Sequence, residues 1–149
     1  MAESAARATS SGITVLICDD APAMRSLLGI VIALREGMSL VGEAADGEAA
    51  IAQAELLQPD VILLDLSMPH RTGLEALAQI NRVAPAAKVI ILSGFAESII
   101  EDDLLGNSVA CYLQKGIKPD EILAAIEGAV AGKTSSNKNG PERTAFKPS

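Results

Sequence analysis

Val61-Ile62-Leu63-Leu64-Asp65-Leu66-Ser67-Met68-Pro69 is the stretch on which the fold turns. Four consecutive apolar residues read as a strand buried on both faces, of the kind found inside parallel sheets. The strand runs into a carboxylate, Asp65, and Pro69 and Gly73 mark the loop beyond. An aspartate there stands at the carboxyl end of a strand, where open α/β sheets bind their ligands. A second apolar run, Ile13-Thr14-Val15-Leu16-Ile17-Cys18, ends in Asp19-Asp20. If the two strands are neighbours their ends lie about 5 Å apart. Three carboxylates then share one pocket, and that pocket calls for a cation.

The remaining elements follow on both sides. Residues 1–12 are rich in Ala, Ser and Thr without apolar periodicity and read as a disordered lead-in. Pro22 opens a helix with Met24, Leu27, Leu28, Val31 and Ile32 at helical spacing, and Gly37 supplies the stop. Leu40–Ala44 is a short strand, and Asp46 caps a second helix with Ala50, Ile51, Ala54 and Leu57 as its apolar stripe. Beyond Asp65, Thr72-Gly73-Leu74-Glu75 reads as a capping box for a third helix that turns Leu74, Leu77 and Ile80 inward. Pro85 ends that helix.

Lys88–Leu92 is the fourth strand and runs into Ser93-Gly94-Phe95. A short acidic helix through Ile99, Ile100 and Leu104 precedes the fifth strand, Ala110–Leu113, which runs into Gln114-Lys115-Gly116. The last helix starts at Pro119, places Asp120 and Glu121 where its dipole favours negative charge, and is expected to bury Ile122, Ile126 and Val130. The alternation predicts an α/β fold: a five-stranded parallel sheet with right-handed crossovers and helices on both faces. The folded domain is expected over 13–132, with 133–149 a disordered tail.

Composition narrows the function. The 149 residues suit one domain, 49% of them are hydrophobic and only 2% aromatic, so the core is aliphatic. A formal charge of −7 repels phosphate backbones and argues against direct nucleic-acid binding. No apolar run approaches a membrane span, and there is no secretory leader pattern. Cys18 and Cys111 lie in apolar runs and read as buried, reduced thiols of a cytoplasmic protein.

Four strands thus end in polar residues: Asp19 and Asp20, Asp65, Ser93, and Lys115. In a parallel sheet all project from one edge. A carboxylate there can attack a phosphoryl group while an oxygen-ligated divalent cation and an ammonium neutralise charge. Magnesium suits the set, since it keeps several waters and accepts one or two carboxylates, and manganese could take its place.

At this point the residues resemble a known family. Asp19-Asp20, Leu64-Asp65-Leu66-Ser67-Met68-Pro69, Ser93-Gly94 and Tyr112-Leu113-Gln114-Lys115 look like the receiver domain of two-component response regulators, as in the chemotaxis regulator CheY. The resemblance implies a flavodoxin-like (βα)5 sheet of strand order 2-1-3-4-5. It implies that Asp65 accepts a phosphoryl group from a histidine kinase or histidine phosphotransfer protein. Asp20, Asp65 and the backbone carbonyl of Ser67 would bind Mg2+, with Asp19 acting through water, and Lys115 would pair with the phosphoryl oxygens. Ser93 would swing towards the phosphoryl group while Tyr112 turns inward. Output would pass to a downstream protein, or to a second copy, through the helix 4-strand 5-helix 5 face.

Ser67 and Phe95 hold the positions two beyond Asp65 and two beyond Ser93, where receivers commonly place the water that removes the phosphoryl group. Serine is short and phenylalanine has no donor or acceptor, so slow self-dephosphorylation is expected. The folded region has two aromatics, Phe95 and Tyr112, and both are expected at the site rather than in the core; Tyr112 reads as either a packing ring or a switch. One departure is Gly116, where receivers commonly carry proline. The Lys-Gly pairing looks like receivers joined to DNA-binding domains, so the chain is expected to be a stand-alone receiver or part of a transcriptional regulator.

Other readings remain open. Asp46 and Asp60 read as caps or turn residues, and His70 as an exposed loop residue. Gly132-Lys133-Thr134 lacks the first glycine of a phosphate-binding loop. The competing functions are a Mg2+-dependent phosphohydrolase or phosphotransferase with an aspartate nucleophile, and a pseudo-receiver that acts without phosphorylation.

Overall fold

A computed structural model describes residues 12–66, 73–93, 109–132 and 135–136. The strands are β1 (Ile13–Cys18), β2 (Met38–Ala44), β3 (Val61–Asp65), β4 (Lys88–Ser93), β5 (Cys111–Gln114) and β6 (Ser135–Ser136). The described helices are α1 (Pro22–Ala33), α2 (Gly47–Leu57), α3 (Gly73–Val83) and α4 (Pro119–Val130). The strands form one sheet in the order β2-β1-β3-β4-β5-β6, with all pairs parallel. The five expected strands therefore stand in the expected order, 2-1-3-4-5. The structure differs in the tail: Ser135 and Ser136, expected to lie outside the fold, pair with Cys111 and Tyr112. A parallel partner after α4 continues the strand–helix alternation onto the open edge of β5.

The sheet divides the core in two by strict side-chain alternation. Leu16, Cys18, Ile62, Leu64, Val89, Ile91 and Tyr112 face α2 and α3, meeting Ala50, Ala54, Leu77 and Ile80. Val15, Ile17, Val61, Leu63, Ile90, Leu92 and Leu113 face α1 and α4, meeting Leu28, Ile32, Ile122 and Ile126. Every residue of β3 is buried, as its unbroken apolar run requires. Val130 differs from expectation: it is 42% exposed, and Ala129 takes the inward place. At about 100° per residue, Ala129 returns to within about 20° of Ile122, whereas Val130 stands about 80° round the helix from it and so leaves the inward stripe.

Local chemistry sets the element ends. Pro22 and Pro119 sit in the first turns of α1 and α4, where a missing N–H costs nothing. Asp46 caps α2 by accepting the Ala49 N–H at 2.8 Å. Helix α1 stops at Ala33, earlier than the glycine signal suggested; Gly37 instead supplies the φ of +91° that turns the chain into β2. The expected capping residue Thr72 and the short acidic helix through Ile99 and Leu104 lie outside the described residues.

At the amino ends of β1 and β3, Asp60 does more than turn the chain. Its Oδ2 accepts the Thr14 N–H at 2.9 Å and the Thr14 hydroxyl at 3.1 Å. The Asp60 N–H in turn donates to Thr14 Oγ1 at 2.9 Å. On the surface, Arg35 donates twice to Glu127 Oε2, linking the turn after α1 to α4.

Candidate functional site

The site lies at the carboxyl ends of β1, β3 and β5. Cys18 and Leu64 are register partners, so Asp19 and Asp65 leave the sheet side by side. Asp19 is 1% exposed and Asp65 2%, while Asp20, next along the chain, is exposed. Asp19, Asp20 and Asp65 each offer an oxygen within 4.8 Å of the others. Lys115, just past β5, reaches across: its Nζ stands 3.2 Å from Asp19 Oδ2 and 3.2 Å from Asp65 Oδ2. Two nearly buried carboxylates are thus held together by one ammonium, which offsets their mutual repulsion.

Burial by itself would lower the Lys115 pKa. The charge of Asp65 and the hydrogen bond and charge of Asp19 outweigh burial and hold the ammonium above the usual lysine value. Lys115 is therefore a cation at neutral pH. Cys18, beside Asp19, behaves oppositely: burial, reinforced by the Asp19 charge, pushes its thiol far above the ordinary value. It is an inert core residue and no nucleophile.

The Asp19 main chain is fixed by its neighbours. Its N–H donates to the Ala44 carbonyl at 2.9 Å, and its Oδ1 accepts the Ala21 N–H at 2.9 Å. Arg25 donates through Nη1 to the Asp19 carbonyl at 2.8 Å and through Nε to Glu43 Oε1 at 3.1 Å. Sequence reasoning missed both Arg25 and Glu43. The two stand 18 residues apart on a helix and a strand, and no local pattern links them.

The other expected site residues are placed as follows. The Ser93 backbone ends β4 opposite Gln114, so it belongs to the same edge. Tyr112 is corrected in one respect: it is a core residue, 6% exposed and packed with the α2–α3 side of the sheet. Alternation along β5 sends Cys111 and Leu113 to one face and Tyr112 to the other. Ser67, Phe95 and His70 lie outside the described residues. Gly116 takes a φ of +100°, which the proline common at this position in receivers cannot adopt.

An oxygen-only set of three carboxylates fits a hard divalent cation such as magnesium and does not fit a soft metal. A profile of the response regulator receiver domain matches residues 15–127. The chain belongs to the response regulator receiver family. Receiver domains are signalling domains that histidine kinases phosphorylate on an aspartate, and they bind Mg2+ at an acidic cluster.

Among its relatives, this receiver is 36% identical over 123 residues to the nitrate/nitrite response regulator protein NarL of Escherichia coli K12. That match covers 80% of this chain and 56% of NarL. It is 37% identical over 122 residues to the uncharacterized transcriptional regulatory protein YxjL of Bacillus subtilis, covering 81% and 56%. The chain spans about half the length of these curated relatives.

Solved receivers share the fold. The response regulator domain of Thermotoga maritima CheB aligns with a TM-score of 0.75 at 34% identity, covering 80% of this chain and 97% of that one. The signal receiver domain of the putative response regulator NarL from Mycobacterium tuberculosis aligns with a TM-score of 0.77 at 29% identity, covering 83% and 99%. No helix among the described residues is long and apolar enough to cross a membrane.

Proposed function

We propose that Asp65 is the phosphoacceptor of this receiver, with a histidine kinase or histidine phosphotransfer protein as donor. The observation that carries the reading is the Lys115 ammonium, 3.2 Å from the carboxylates of both Asp65 and Asp19 at the functional edge of the sheet. An Asp65 oxygen forms the new O–P bond as the P–N bond of a phosphohistidine breaks, and the imidazole leaves with the electron pair. Lys115 neutralises the phosphoryl oxygens and keeps its charge throughout. Magnesium, held by Asp20, Asp65 and the Ser67 carbonyl with Asp19 acting through water, would supply further positive charge for those oxygens.

Ser93 and Tyr112 are the switch pair in this reading. The inward packing of Tyr112 supports a coupling between site and core, because its register partner Ile91 stands two residues before Ser93 on β4. Ser67 and Phe95 set a slow loss of the phosphoryl group, making the domain a phosphoacceptor with self-catalysed transfer rather than a turnover enzyme. Output passes to a partner protein or a second copy through the helix 4-strand 5-helix 5 face, of which β5 and α4, the fifth helix of that count, lie among the described residues. The match to NarL and YxjL supports a place in a transcriptional regulator, with the acidic receiver itself making no nucleic-acid contact. The buried thiols of Cys18 and Cys111 support a reducing, cytoplasmic setting.

Intact mass after incubation with acetyl phosphate and magnesium tests the assignment. Wild type should gain one phosphoryl group and Asp65→Asn none. Labelling that persists in Asp65→Asn removes Asp65 from the role, and an unlabelled wild type removes the phosphoacceptor reading altogether.

A further inference from the structure

We infer that Arg25 is a positioning residue for the cation pocket: held by Glu43, it fixes the peptide that joins Asp19 to Asp20. The inference rests on the proposed magnesium site and concerns how this chain shapes it. Asp19 and Asp65 are immobilised by burial and by Lys115. Asp20 is exposed, and no hydrogen bond or ion pair holds its carboxylate among the described residues. Its direction is therefore set by its backbone, and the plane of the Asp19–Asp20 peptide is pinned by the carbonyl of Asp19. That carbonyl accepts the Arg25 Nη1–H at 2.8 Å.

Helix stability does not explain an arginine here. Arg25 closes the first turn of α1, its N–H donating to the Ala21 carbonyl at 3.0 Å. A helix amino terminus favours negative charge, and α1 has no acidic residue in its first turn to compensate. The side chain turns back from the helix, its Nε fixed by Glu43 Oε1 at 3.1 Å at the end of β2. A planar guanidinium can bridge a carboxylate and a carbonyl at a fixed angle, whereas a lysine ammonium on a flexible stem cannot hold that geometry. Glu43, Arg25 and the Asp19 carbonyl thus form a brace running from β2 to the acidic turn. Groups that orient metal ligands from behind commonly change metal affinity about 10- to 100-fold when removed.

Charge and geometry predict opposite results, which makes the brace testable. If Arg25 acted only as a nearby cation, Arg25→Gln would tighten divalent binding and Arg25→Lys would leave it unchanged. As a brace, Arg25→Gln should weaken binding about tenfold, and Arg25→Lys should weaken it as well. The measurement is a Mn2+ titration followed by electron paramagnetic resonance of the free ion. It uses the full chain, and the metal-free melting temperature of each variant is recorded alongside. Weaker binding in both variants, with melting close to wild type, supports the brace. Tighter binding in Arg25→Gln, or wild-type binding in Arg25→Lys, overturns it; if Arg25→Gln does not fold, the lysine variant decides alone. Wild-type protein that binds no Mn2+ refutes the metal site itself, a result distinct from variants that match a binding wild type.

Discussion

Replacing Lys115 by methionine removes the ammonium and keeps most of the aliphatic stem. Each of its two contacts, at 3.2 Å, is worth about 5 kcal/mol before desolvation at an effective dielectric near 20. Asp19 and Asp65, left facing each other within 4.8 Å, would add repulsion of about 3 kcal/mol on the same scale. The net effect is smaller, because the Lys115 side chain is 27% exposed and both partners lose hydration when they pair. Breaking a buried pair by removing one partner costs about 3–5 kcal/mol, and the exposure brings the expectation here to about 2–4 kcal/mol.

Urea unfolding of the chelator-treated protein at pH 7 measures this loss directly. The pH dependence has a definite sign. The Lys115 pKa is raised by folding, so its contribution is complete below the ordinary lysine value of 10.5 and disappears only as pH rises through the folded-state value. The gap between wild type and Lys115→Met should therefore stay constant from neutrality to about pH 10. Magnesium should narrow it, since a bound cation takes over the neutralisation. A loss below about 1 kcal/mol would refute the argument that this ammonium holds the acidic pair together. A gap that closes between pH 7 and 9 would do the same.

Two further outcomes are expected. Magnesium should raise the melting temperature of wild type, and Asp20→Asn should stabilise the metal-free protein while weakening that response; melting indifferent to magnesium counts against the acidic cluster as a metal site. Gly42→Ala should lower stability by about 1–3 kcal/mol in urea unfolding. An added Cβ would lie 2.6 Å from Leu57 Cδ1, 3.2 Å from Gln53 Oε1 and 3.3 Å from Leu16 Cδ1, so Leu57 must shift, and an unchanged midpoint would show that it does so freely.

The framework was legible because it is written in short-range patterns. The apolar runs of β1, β3 and β4, the prolines opening α1 and α4, and the Asp46 cap are each decided within a few residues of chain. The acids at the ends of β1 and β3 followed from a single assumption, that the strands are neighbours. What escaped depends on contacts between distant segments. The Arg25–Glu43 brace joins a helix to a strand, and the Thr14–Asp60 bonds span 46 residues, so composition and spacing carry no trace of either. Tyr112 was misplaced because scarcity of aromatics was read as location. In fact, its position in the β5 alternation sends the ring into the core. Val130 kept i+4 spacing with Ile126, but a series of steps of four drifts about 40° each time, so the third member leaves the face that Ile122 began and Ala129 takes its place.

The paired bonds between Thr14 and Asp60 act as a gauge for the far end of the sheet. Asp19 lies five residues beyond Thr14, and Asp65 lies five residues beyond Asp60. Two parallel strands tied at one end and counted out equally must deliver their acids at the same height, about 16 Å away. A single residue gained or lost between tie and acid on either strand would offset one carboxylate by about 3.3 Å and turn it to the opposite face. The spacing that lets one lysine meet both acids is thus measured from the end of the sheet that takes no part in the chemistry.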